Sequence, residues 1–331
     1  MASAPVDPEL RRGTLRRMAQ WGLLLTLLIV VLSAFVRQRG VGLGCEDWPA
    51  CYGQDLARTQ SGEVVAAGED VLLARLAHRV VASVTLVLVI AMVLAALGAR
   101  PALRRAGTLA LAMLAIALGL AVLGVVTPGS RLPAVALGNL LGGFAMFALS
   151  ARLVTVTGTS RPADAMLARA AILVAILLVL QVTLGAMVSA THSGLSCRAL
   201  AECLDLTASG GWNFALLDPW RLPPPGSIAS GAAGAPLQLA HRVGSIVAAA
   251  AVLALSLLAW RRGRRRRALA LAGLLLGVVT LGLFFVGAGK LPLPAVLLHN
   301  LGAVSLLALV GVTGLGPAAS AIGVGRQALR Q

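Results

Sequence analysis

The chain has 331 residues, of which 58% are hydrophobic and only 12% charged, yet its net charge is +16. So small a charged share, with a mean hydropathy of +0.90, excludes an ordinary soluble domain and indicates a membrane protein. The apolar runs are long and rich in Leu, Ala and Val, unlike the short alternating segments of a transmembrane barrel, so the fold class is all-α.

Crossing the hydrocarbon takes about 20 apolar residues per helix, and eight such runs follow one another at 21–36, 76–98, 108–126, 134–156, 170–190, 237–260, 268–286 and 294–315. The first follows a basic stretch, as a signal peptide would, but no small-x-small cleavage site follows Leu32 and the span has a counterpart later. It is expected to stay as an uncleaved helix. A loop with VRQRGVGLGCEDWPAC at 36–51 comes next, then a second span opening on LAHRVVAS at 76–83. The third span, TLALAMLAIALGLAVLGVV, occupies 108–126, and the fourth opens on LPAVALGN at 132–139.

The same landmarks return in the same order. VSATHSGLSCRALAEC lies at 188–203, LAHRVGSI at 239–246, ALAGLLLGVVTLGLFFVGAG at 270–289 and LPAVLLHN at 293–300. Matching positions include Cys, His, Arg and Pro, which hydrophobicity alone does not select. Four spans return the chain to its starting side, so the halves have one orientation and form a parallel repeat. Two four-helix bundles are expected, 1–157 and 158–331.

Arginines cluster at 11–17, 100–105, 161–169 and 261–267, each in a tail or loop on one side of the eight-span layout. The positive-inside rule places these clusters and both termini in the cytoplasm. The basic excess is therefore a topology signal, and nucleic acid is excluded as a partner; membrane lipid is the partner that it suits.

Cys45, Cys51, Cys197 and Cys203 form two C-x5-C pairs, each in the first outer loop of its half. Local disulfides are the simplest pairing in that compartment; zinc and free redox-active thiols stay open. Trp48, Trp212 and Trp220 read as interfacial aromatics. The loop at 204–236 is rich in Gly, Pro and Ser, and its RLPPPG cannot be helical throughout. A surface connector and a cover over a ligand cavity are both compatible with it.

Three of the four histidines, His78, His241 and His299, fall inside apolar spans near their outer ends, where ionisable residues are functional candidates. His241 and His299, from two helices at matching depth, suit axial ligation of one heme iron. Arg79 and Arg242 follow the helix-two histidines and suit either heme propionates or lipid headgroups. His192 reads as a solvated loop residue.

The GLGCEDWPACYG loop, the later SGLSC, the two LAHR helices and the terminal LLHN together resemble heme A synthase, which oxidises a methyl group of heme O to the formyl group of heme A. The resemblance covers residues 21–316. It implies a resident heme b in the C-terminal half, held by His241 and His299, and a substrate heme site in the N-terminal half. His78 matches one of two substrate-side histidines and is the catalytic candidate, with Cys45 and Cys51 near it. It implies an oxidoreductase of cytochrome oxidase assembly, multi-pass in a bacterial inner membrane, with heme O as substrate and a heme O synthase and an electron donor as candidate partners.

Two positions depart from the family pattern. Gly138 stands where the other substrate-side histidine is expected, and Arg75 where a glutamate is expected one turn before His78. One histidine leaves an open coordination position, which suits exchangeable binding of a substrate porphyrin, oxygen activation at iron, or a decayed site. The alternatives to an enzyme are a non-catalytic membrane b-type cytochrome or heme carrier, and a transporter built on parallel repeats.

Overall fold

The computed structural model describes residues 7–40, 54, 58, 66–127, 130–158, 164–222, 231–287 and 292–314. These form helices α1 (Pro8–Arg39), α2 (Glu69–Leu97), α3 (Arg104–Val126), α4 (Pro133–Thr157), α5 (Ala165–Ala190), α6 (Leu200–Ser209), α7 (Ala235–Arg261), α8 (Arg265–Gly287) and α9 (Leu293–Val312). All but the short α6 are long and apolar enough to cross a membrane. The chain is an integral, multi-pass, all-α membrane protein, with no strand among the described residues.

Two helices begin seven residues or more before their apolar runs. α1 starts at Pro8, where Asp7 accepts from the Glu9 amide at 2.9 Å and proline takes the first helical position, a favourable opening because proline's missing N–H has no intrahelical partner there. The basic stretch at 11–17 is therefore helical and not a tail. Arg11 within it is buried, donating to the Ala95, Ala96 and Pro101 carbonyls at the end of α2. α2 starts at Glu69 because Glu69 and Asp70 place negative charge on its positive end. Asp70 also pairs with Arg39 at 2.9 Å, tying α2 to the end of α1.

The helices pack as two rings. α1 lies against α2 and α4, and α3 against α2 and α4; likewise α7 lies against α5 and α8, and α9 against α8 and α5. Between the rings, α9 packs on α4 and α1, and α4 on α5. One core cluster joins Leu15, Val89, Met92, Met113 and Leu153 inside the first ring. A second is centred on Leu167, Val252, Leu271 and Val304 and receives Val30 and Phe144 from the first, so the seam between the halves is packed.

Lipid tails are as apolar as leucine, so these contacts depend on close packing and small residues more than on leaving water. A Cβ on Gly22 would stand 3.2 Å from Ser150 Oγ and 3.3 Å from Met92 Cε, so α1 approaches its neighbours where it has no side chain. Outward, Leu73, Leu76, Val80, Val84 and Val87 form an exposed stripe along α2, an area too large for a water-facing monomer and suited to lipid.

In the outer loop of the second half, Cys197 and Cys203 form a disulfide with a Cα–Cα distance of 5.2 Å. The sulfurs are bonded to each other and are not thiolate ligands, which removes the zinc and free-thiol readings for this pair. Cys45, Cys51 and Trp48 lie outside the described residues. Part of the 204–236 loop is ordered as α6 and a 3-10 turn at Ala215–Leu217. Trp212 and Trp220 are exposed, and the Pro219 carbonyl accepts from the Ala134 amide at the start of α4. This loop thus reaches across to the first ring.

Candidate functional site

His241 and His299 each lie six residues after the first residue of α7 and of α9. In their ring these helices are diagonal, both flanked by α5 and α8. Each ring lies against a glycine: a Cβ on Gly185 of α5 would stand 3.0 Å from His241 Cε1, and one on Gly282 of α8 would stand 3.5 Å from His299 Cε1. Any larger residue at 185 would push the imidazole away.

Each ring also has its Nδ1 engaged. His299 Nδ1 is 3.1 Å from the Val278 carbonyl. A carbonyl only accepts, so Nδ1 carries the proton and Nε2 keeps its lone pair, the form in which imidazole binds a metal. His241 Nδ1 is 3.0 Å from Gln181 Nε2, which also donates to the His241 carbonyl at 2.9 Å. Gln181 Oε1 is buried with no hydrogen-bond partner. The amide nitrogen donates both to the ring and to the backbone of the same residue, which fixes the orientation of the imidazole.

The first ring holds a different arrangement. His78 is nine residues into α2, deeper in its helix than the other two, and lines two adjoining cavities of about 320 and 310 Å³. Both are also lined by Ser33, Arg37 and Asn139. The outer one adds Arg75 and Arg79, and the inner one runs down to Phe144 and across to Asn300 on α9. Gly138 faces α3, where a Cβ would stand 3.3 Å from Leu123 Cδ2. Only one imidazole among the described residues therefore lines this space.

The two LAHR arginines have different surroundings. Arg242 donates to the Cys197 and Arg198 carbonyls at 2.8 and 2.9 Å, fastening the disulfide loop to α7. Arg79 is exposed and its guanidinium has no hydrogen-bond partner among the described residues.

His192 is not the solvated loop residue that the sequence suggests. It is half-buried in a left-handed conformation (φ 55) with Nδ1 enclosed and without a partner. Burial, with the nearby Arg37 charge, pushes its pKa down to about 4. Gln181, Arg37 and Asn300 were missed in the sequence as members of these sites. The available signal was a polar side chain inside or at the edge of an apolar run.

The family model described as cytochrome oxidase assembly protein (COX15-CtaA) matches residues 16–310. The chain belongs to the heme A synthase family. A heme A synthase of Shewanella oneidensis is 31% identical over 315 residues, covering 86% of this chain and 91% of that protein. The match takes in both rings and all three histidines within the apolar helices.

Proposed function

We propose that the protein is a heme A synthase that oxidises a methyl group of heme O, bound in the cavity beside His78, and that His241 and His299 hold a resident heme b. The observation that carries this reading is the pairing of a cavity lined by one histidine with a neighbouring ring that carries two histidines at equal depth on diagonal helices. The family match over most of the chain supports the activity.

The second ring fits a heme. Its donor set is two imidazoles, the glycines at 185 and 282 leave room for their rings, and Val278 and Gln181 hold the two rings at Nδ1. A heme held there supplies one-electron transfer. The protein's own part is to fix two ring nitrogens and to pack the neighbouring ring closely against them. α9 carries His299 toward one side and Asn300 into the first-ring cavity, so consecutive residues of one helix serve the two sites.

In the first ring, His78 offers one nitrogen to the iron of the substrate, and Gly138 leaves the opposite side without a second ligand. One protein ligand favours exchange of substrate and product, where two would retain them. The matched ring order supports a parallel repeat with halves 1–157 and 158–331. Arginine at the α1 N-terminal half and at the α7–α8 turn supports cytoplasmic termini and an inner-membrane location.

The rival, a b-type cytochrome or heme carrier without catalysis, draws on Gly138 and Arg75. Co-expression with a heme O synthase separates the two, with extracted hemes resolved by chromatography and mass. The enzyme reading expects heme A or its hydroxymethyl precursor, and none from His78→Ala. A folded, heme-loaded wild type that yields neither product would leave the carrier reading in place.

A further inference from the structure

The halves can be compared position by position at the outer mouth. By the equal offset of the two cysteine pairs, Arg37 corresponds to Ser189, and by the LAHR alignment Arg75 and Arg79 correspond to Gln238 and Arg242. In the second half these groups are neutral or committed to the loop: Gln238 donates to the Gly194 carbonyl at 2.6 Å, and Arg242 to the Cys197 and Arg198 carbonyls. In the first half all three are arginines, and all three line the cavity that holds His78.

Arg37 is the most constrained of them. It is half-buried at the end of α1, and its Nε donates to Ser189 Oγ at 3.0 Å, a hydroxyl that also accepts from Gln38. The two terminal guanidinium nitrogens have no hydrogen-bond or ion-pair partner among the described residues. No carboxylate lines either cavity among those residues. Three guanidinium groups around one cavity repel one another unless an anion compensates them, and the planar fork of each matches a carboxylate.

We infer that Arg37, with Arg75 and Arg79 at the rim, forms a carboxylate-binding site that holds the propionates of the porphyrin in the first-ring cavity and so fixes which way the macrocycle enters. This rests on the reading of that cavity as the substrate site. It assigns Arg75 a role that a glutamate there could not fill, since a second anion would repel the propionates. The positioning group is charged, and the porphyrin's apolar body lies on the side of Phe144 and Leu120.

The test uses purified holoprotein with its resident site loaded, in nanodiscs of phosphatidylcholine, and titrates two metal-free probes: protoporphyrin IX and its dimethyl ester, whose propionates carry no charge. The wild type is expected to bind the diacid at least about tenfold more tightly than the diester, the scale of one charge-assisted pair. Arg37→Gln is expected to bring the two within about twofold, Arg37→Lys to fall between, and Arg75→Gln with Arg79→Gln to weaken the diacid alone. The resident heme spectrum serves as the folding control for each variant. Equal binding of diacid and diester by the wild type would overturn the carboxylate site while leaving the substrate cavity standing. Binding of neither probe would overturn both. If phosphatidylglycerol in the disc displaces the diacid through Arg37, the anion held is a lipid headgroup, and the propionate assignment fails.

Discussion

The two rings carry the same landmarks and differ in what they do with them. At the start of the last helix of each half, LPAVLLHN carries His299 where LPAVALGN carries Gly138. Around the second ring's histidines every supporting group is committed: Val278 and Gln181 engage the ring nitrogens, and Arg242 and Gln238 fasten the loop. Around His78, Arg75 and Arg79, which correspond to Gln238 and Arg242, line an open cavity. On the proposed reading, a repeated scaffold supports a retained cofactor in one copy and an exchangeable ligand in the other, with the change confined to a few side chains.

The comparison breaks most sharply at the histidines. His241→Ala should lower the heme retained per purified chain by at least about tenfold, as loss of a ligand exceeds loss of its outer-shell support. His78→Ala should leave that heme in place and reduce product to background. If His78→Ala bleaches the protein and His241→Ala does not, the roles of the two halves are reversed.

Restoring the missing ligand sharpens the contrast from the other side. Gly138→His requires Leu123 to yield only a few tenths of an ångström at the Cβ, and it should raise the heme that co-purifies from about one to about two per chain while product formation falls. An unchanged heme count in a folded variant would mean that position 138 does not face the iron of a bound porphyrin.

A smaller effect is expected at Gln181. Gln181→Leu removes the group at His241 Nδ1 and should weaken the resident heme by roughly 10- to 100-fold, read by transfer to apomyoglobin. Gln181→Asn, which keeps an amide donor, should retain more of it. Equal loss from both variants would reduce Gln181 to packing.

The smallest effect is pH-dependent stability at His192. With its pKa pushed to about 4 by burial and by Arg37, the folded protein holds this ring neutral, whereas the unfolded chain protonates it near 6.5. Stability is therefore fully present above about pH 6.5 and is lost as pH falls toward 4, by about 2 kcal/mol near pH 5. His192→Asn, which tolerates the left-handed backbone, should flatten this dependence in thermal melts at pH 7 and pH 5. A parallel slope in the variant would assign it to other groups.

Eight spans were legible because crossing a membrane requires long apolar runs that few other structures need. Their ends were not, because capping and charge pairing decide them: Asp7 and Arg11 extend α1, and Asp70 with Arg39 extends α2. The buried histidines stood out because ionisable groups are rare in such segments. Gln181 and Arg37 did not, since a single amide or a terminal arginine in an apolar run has many possible partners until the helices are packed. His192 was misread because a loop position says nothing about the wall that the loop lies against.

The central claim is that two neutral imidazoles from α7 and α9 hold one low-spin heme while the first ring offers a single histidine. Near-infrared magnetic circular dichroism of the purified wild-type protein reads axial ligands directly. The expected result is one bis-imidazole low-spin heme per chain. A folded protein that carries no heme, or whose retained heme is high-spin or ligated by anything other than two imidazoles, would contradict it.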